Sequence, residues 1–202
     1  MRLLCVFLIG LALSLAVPKV KELCTTQGCF ITPHEDDNTG QQVPGTNIWI
    51  GNQFASVNQK WLKEAGITHI VSAIGEPQTG RIEGITYKIF DLEDTHDQHV
   101  LPHIYDLHEY LTKEVGSTGK VLIHCAAGVS RSASFVIGHL MLSDWNLGIE
   151  SAIQLVKSVR GVINPNARFL LDLYELDTNL YVMKLNETAH LGNYISQLKE
   201  EL

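Results

Sequence analysis

Apolar positions along this chain form short runs that alternate with stretches of helical spacing. Asn47-Ile48-Trp49-Ile50-Gly51-Asn52 reads as a short strand ending in a turn, and Val57 to Ala65, with Trp61 and Leu62, as a helix closed by Gly66. His69 to Ile74, ended by Gly75, and Ile85 to Leu92 read as two further strands. Ile104, Leu107, Leu111 and Val115 recur at helical spacing behind Pro102. Val121-Leu122-Ile123 is the next buried strand, and Ala133, Phe135, Val136, Ile137 and Leu140 mark the helix after it. Ile149, Ala152, Ile153, Val156 and Val159, then Phe169, Leu173, Leu176 and Leu180, mark the last two helices. Strands alternating with helices predict an α/β fold: a three-layer sandwich whose central, mostly parallel sheet of four to five strands is flanked by helices.

The ends of the chain break this pattern. Leu3 to Val17 is almost wholly apolar behind Met1-Arg2, and Ser14-Leu15-Ala16 offers small residues for cleavage, so residues 1–16 read as a signal peptide. The run is shorter than the ~20 residues that a spanning helix needs. Such a leader implies a secreted or secretory-lumen protein. Retained, it would anchor the chain to a membrane; with a mis-assigned start of the reading frame the domain would be cytoplasmic. Residues 17–45 are polar, with Asp36-Asp37-Asn38-Thr39-Gly40 as loop, and read as a linker. The domain is expected over 46–184 and a C-terminal tail over 185–202.

Length and charge narrow the partners. The 202 residues suffice for one domain with a sizeable core plus tails. A net charge of −7 without a basic block argues against nucleic acid or an anionic membrane surface as the main partner. Of the four cysteines, Cys5 lies in the leader and only Cys125 lies inside the domain. In an oxidising compartment a Cys24–Cys29 disulfide would account for the other two; two unrelated thiols are the equal alternative. No second pair exists to complete a zinc site with them.

The stretch His124-Cys125-Ala126-Ala127-Gly128-Val129-Ser130-Arg131-Ser132 carries the chemistry. It joins a buried strand to a helix N-terminus, where unpaired backbone N–H groups and the positive end of the helix dipole bind an anion. A cysteine at the centre of such a loop is held as thiolate. An arginine at its rim can grip two phosphate oxygens at once. An anion cradle with a thiolate nucleophile points to attack on phosphorus. Asp91, Asp94 and Asp97, in the loop after the strand Ile85–Leu92, are candidates for the general acid that a poor leaving group requires.

The nonapeptide matches the H-C-x-x-G-x-x-R-S signature position by position, and the chain resembles the small, atypical dual-specificity protein phosphatases, a branch of the cysteine-dependent phosphatases. The resemblance runs over about 46 to 183. It includes Ile48-Trp49-Ile50-Gly51, Ala65-Gly66-Ile67-Thr68-His69-Ile70, and the turn Ile163-Asn164-Pro165-Asn166 before the last helix. It implies the cysteine-phosphatase fold and hydrolysis of phosphotyrosine and phosphoserine or phosphothreonine on proteins through a phosphocysteine intermediate. In it Cys125 is the nucleophile, and Arg131 with the N–H groups of Ala126, Ala127, Gly128, Val129, Ser130 and Arg131 binds phosphate. Asp91-Leu92-Glu93-Asp94-Thr95-His96 is similar to the family's acid loop, which maps the acid onto Asp94. Ser132 matches the hydroxyl that steadies the departing thiolate. His124 is expected to orient the loop and favour the thiolate.

No metal or cofactor is called for. His96, His99 and His103 invite a metal, but Pro102 interrupts the i, i+4 pair, and a solvated loop is the favoured reading. The family's lipid-directed members usually carry extra basic residues in the phosphate loop, and this loop has none, so a phosphorylated protein is the expected substrate. The rivals are a phosphoinositide, a glycan or an RNA 5′ end, or a non-catalytic phosphoprotein-binding module. Asn186-Glu187-Thr188 is a glycosylation acceptor if the chain is secreted.

Overall fold

The computed structural model describes residues 38–76 and 80–200, with side chains through Glu187. The leader and the Cys24–Cys29 pair lie outside the described residues. Five strands form one sheet: β1 (Gln41–Gln42), β2 (Ile48–Gly51), β3 (His69–Ser72), β4 (Thr86–Ile89) and β5 (Val121–His124), in the order β1-β2-β5-β3-β4. All neighbouring strands run parallel except β1, which pairs antiparallel with β2. The helices are α1 (Gln53–Val57), α2 (Gln59–Ala65), α3 (Leu101–Tyr110), α4 (Arg131–Ser143), α5 (Ile149–Val159) and α6 (Ala167–Glu200).

The pleat sorts the strand residues into two cores. Ile48 and Ile50, Val71, and Val121 and Ile123 join Ile104, Phe135, Val156 and Phe169 from α3 to α6. The alternating residues Trp49, Ile70 and Leu122 join Ala55 and Leu62 from α1 and α2 on the opposite face. Both faces of a parallel sheet must be covered by helices, so its strands read as continuous apolar runs and not as alternation. This is the expected sandwich. The α3–α4 contact is close because Gly138 has no side chain; a Cβ there would sit 2.6 Å from Ile104 Cγ2.

Several boundaries differ from the sequence reading. Residues 41–43 were expected in the linker, yet Gln41–Gln42 pairs with Trp49 and Ile50 and Val43 is fully buried. The helix expected from Val57 to Ala65 is α2, Gln59–Ala65; Val57 instead ends α1, a short helix that the sequence reading did not predict. The break falls at Asn58, whose side chain accepts the Trp61 N–H and restarts the winding as the α2 N-cap. The last turn of the 102–115 helix, Leu111–Val115, is wound as π-helix. The final helix runs through the expected tail to Glu200.

Two buried residues tie this frame to pH. Burial lowers the pKa of His124 and of His139 from 6.5 to about 4. His139 also faces His108, Nδ1 to Nδ1 at 3.2 Å, so one ring must be neutral to accept the other's proton. Each histidine stays neutral in the fold while its unfolded counterpart protonates, so the unfolded state binds more protons between about pH 6.5 and 4. Stability should therefore be full above pH 6.5 and fall through that window. In urea melts at about pH 7 and about pH 4.5, His139→Gln should lose less stability between the two than the parent does. An equal loss would show that His139 titrates normally in the fold.

Candidate active site

The loop from Cys125 to Ser130 leaves the C-terminal end of β5, between β2 and β3, and enters α4. Its geometry is set by its carbonyls. Ala126 O accepts the Gln53 N–H at 3.1 Å. Ala127 O and Gly128 O accept Arg160 Nη2 and Nε at 2.9 and 2.7 Å. Val129 O accepts the Asn164 N–H at 2.8 Å. These four consecutive carbonyls thus point outward to partners from three other parts of the chain. The described peptides are all trans, so each plane places the following N–H on the opposite side. The N–H groups of residues 127 to 130 are thereby turned inward, and the Gly128 N–H donates to Cys125 Sγ at 3.2 Å. Gly128 has φ +68°, and a Cβ there would lie 2.6 Å from Gly51 O, so both conformation and space exclude a side chain.

Cys125 is buried at the floor, its sulfur also 3.3 Å from Ser132 Oγ at the start of α4. His124 is buried and neutral: desolvation drives its pKa to about 4 against a long contact from Nδ1 to Cys125 O, 3.4 Å. Whatever His124 does for the thiolate, it does as a neutral hydrogen-bonding group and not as a cation. Arg131 donates from Nη1 to Leu92 O at 3.0 Å, and its Nε lies 3.6 Å from Asp94 Oδ2.

The three aspartates separate cleanly. Asp94 reaches the loop: its Oδ1 accepts Ser130 Oγ at 2.8 Å and Asn166 Nδ2 at 2.7 Å. Asp91 sits beside Gly75, and Asp97 is exposed without a tie to the loop. The acid loop is anchored at its far end by Asp172, buried on α6, which accepts the Val100 and Leu101 N–H groups at 2.7 and 3.3 Å. Burial alone would raise the Asp172 pKa; the Val100 N–H, Arg168 and the Leu101 N–H outweigh it and hold the carboxyl below its ordinary range. His99 and His103 have separate neighbours, Asp172 and the Phe90 ring respectively.

Sequence reading missed Arg160, Gln41 and Gln53. Arg160 is 4 % exposed and, besides its two loop carbonyls, donates from Nη1 to Gln41 Oε1 at 2.6 Å. A buried arginine needs such partners for its charge, and they lie far away in sequence. The one local hint is its place at the end of α5.

A cysteine at the floor of an inward-facing N–H cradle, with an arginine at the rim and a carboxylate across the mouth, defines the class of cysteine-dependent phosphatases. The catalytic-domain model of dual specificity phosphatases matches residues 48–179, well over half of the chain, and the chain belongs to that family. It is 34% identical over 139 residues to human dual specificity protein phosphatase 26, covering 66% of this chain and 65% of that protein. It is 31% identical over 152 residues to the protein-tyrosine-phosphatase MKP1 of Arabidopsis thaliana, covering 73% of this chain but 19% of that much longer protein. The solved structure of human DUSP28 has 26% identity and a TM-score of 0.64, covering 70% of this chain and 95% of that one. A human tyrosine phosphatase-like serine/threonine/tyrosine-interacting protein is similar at 25% identity and a TM-score of 0.63, covering 72% and 99%.

Arg160→Lys keeps a charge but loses the fork that holds two carbonyls. The loop N–H groups should then drift, and kcat/KM for an aryl phosphate should fall about 10²-fold, as for small misplacements of reacting groups. Vanadate, a phosphate mimic, should bind more weakly in the same variant by titration. Unchanged kcat/KM and vanadate affinity would show that the cradle holds its shape without Arg160.

Proposed function

We propose that this protein hydrolyses phosphotyrosine and phosphoserine or phosphothreonine on proteins, using side chains and backbone N–H groups of its own. The observation that carries the reading is the Cys125 sulfur on the floor of an N–H cradle, within hydrogen-bond reach of Gly128 N and Ser132 Oγ. The thiolate attacks phosphorus in line; a P–S bond forms as the P–O bond to the substrate breaks. The inward N–H groups and Arg131 hold the three equatorial oxygens where charge gathers. Asp94 passes its proton to the leaving oxygen. A water then attacks the phosphocysteine, gives a proton back to Asp94, and expels the thiolate, which the Ser132 hydroxyl receives with a hydrogen bond.

Substrate breadth follows from what surrounds this mouth. The loop residues Ala126, Ala127, Val129 and Ser130 carry no positive charge, which favours a phosphoprotein over an inositol lipid or an RNA end. The chain carries no recognisable insertion of the kind that clamps phosphotyrosine in larger relatives, so a shallow pocket accepts all three phosphoresidues. In metal-free buffer with reductant, the purified chain should release phosphate from phosphotyrosyl and phosphothreonyl peptides. Cys125→Ser should abolish release, and Asp94→Asn should lower kcat about 10²–10⁴-fold. Release from a phosphoinositide but from neither peptide would overturn the protein substrate.

The reading includes a secretory route, supported by the apolar leader at residues 3–17 and by the acceptor Asn186-Glu187-Thr188, whose asparagine is exposed on α6. Expressed with its own leader in a eukaryotic cell, the chain should carry an endoglycosidase-sensitive mass that Asn186→Gln removes. A cytosolic protein of unmodified mass would overturn the route.

A further inference from the structure

The general acid in the proposed mechanism has two oxygens, and the surroundings treat them differently. Oδ1 of Asp94 receives two donors, Ser130 Oγ at 2.8 Å and Asn166 Nδ2 at 2.7 Å. Oδ2 lies 3.6 Å from Nε of Arg131, the arginine that holds phosphate in the proposed mechanism.

Other bonds impose the direction of the Asn166 donor and leave the Ser130 proton free to point at Asp94. Asn166 is the residue before α6, and its side-chain oxygen accepts the Phe169 N–H at 2.9 Å. That bond settles which end of the amide is which: with the oxygen turned into the helix, the NH₂ must face Asp94. The Asn166 backbone N–H donates to Ser130 Oγ at 3.0 Å. A hydroxyl that already accepts there has its own proton free for Asp94. The Asn166 NH₂ has no lone pair to offer, so a proton on Oδ1 would confront that donor, and Ser130 would have to turn its own proton away from Asp94 to accept it.

We infer that Ser130 and Asn166 are positioning residues that select Oδ2 as the proton-carrying oxygen of Asp94. They do so by occupying Oδ1, and they hold the carboxyl plane so that Oδ2 faces the leaving group. In the first step the proton goes from Oδ2 to the leaving oxygen, and the two donors on Oδ1 stabilise the carboxylate left behind. In the second step the same oxygen takes the proton of the attacking water. Asn166 thus joins the N-cap of α6 and the acid loop through its side chain, and the phosphate loop through its backbone N–H. This inference rests on the proposed role of Asp94.

The test reads leaving-group dependence. A missing proton donor harms a poor leaving group far more than a good one, whereas general loosening of the site harms both alike. Asn166→Asp keeps an oxygen to cap α6 but replaces the donor with a carboxylate that repels Asp94. Ser130→Ala removes the second donor, and with it the acceptor of the Asn166 N–H, but leaves the side-chain cap from Asn166 to the Phe169 N–H in place. For a series of aryl phosphates of rising leaving-group pKa, kcat/KM of Asn166→Asp should fall about 10-fold or more further at the poor end than at the good end. Ser130→Ala should show the same tilt, smaller, and Asp94→Asn the steepest. Thermal melts accompany each variant. A flat loss across the series in Asn166→Asp and Ser130→Ala, with the tilt present in Asp94→Asn, would overturn this inference alone. No tilt in Asp94→Asn would remove the general acid itself and the inference with it.

Discussion

The outward pinning of four successive carbonyls, from Ala126 to Val129, is the constraint on which the site depends. A peptide plane has two hydrogen-bonding faces, and fixing one fixes the other. Gln53, Arg160 and Asn164 supply the outer partners, so the inner N–H groups face the cysteine before any phosphate arrives. Such preorganisation matters because donors already aimed at a developing charge need no rearrangement during the reaction. A buried guanidinium is costly to place, and Arg160 offsets that cost with two loop carbonyls and the Gln41 amide oxygen.

Everything around the cradle serves to hold those partners still. β5 delivers Cys125 from between β2 and β3, with Leu122 and Ile123 buried in opposite cores. Gln53 opens α1 directly after β2, so the register between β2 and β5 places its N–H against Ala126 O. Arg160 ends α5, and Asn164 and Asn166 lie in the turn into α6, whose buried Phe169 and Leu173 lock that turn to the core. On the far side, α6 also carries Asp172, which fixes the exit of the acid loop at Val100 and Leu101. This helix and the turn into it therefore hold the Asp94 loop relative to Cys125 from both ends.

Much of this was legible in the chain. The inner parallel strands stand out because strands buried on both faces read as unbroken apolar runs, as in Val121-Leu122-Ile123, whereas the edge strand β4 is only partly buried and carries Lys88. The later helices stand out by spacing. Two polar glutamines forming β1 carry no such mark; they are held by pairing to Trp49 and Ile50 and by the bond from Arg160. The break at Asn58 was hidden because an asparagine within a helical pattern is also compatible with a continuous helix. Arg160 was invisible as a site residue, since nothing near it in sequence shows which carbonyls it will meet.

By itself the sequence determined the reagents: a cysteine and an arginine six residues apart in a loop that a strand and a helix must bracket. Those relations are local, set by residue spacing and by the unpaired N–H groups that every helix start presents. Only the tertiary structure decided how the reagents are aimed. It brought Asp94, which the resemblance had already marked among the three aspartates, against the phosphate loop, gave it Ser130 and Asn166 as partners, and turned the loop carbonyls outward. The direction of a hydrogen bond depends on where its partner stands, and here the partners come from segments that meet only when the sheet and α6 pack.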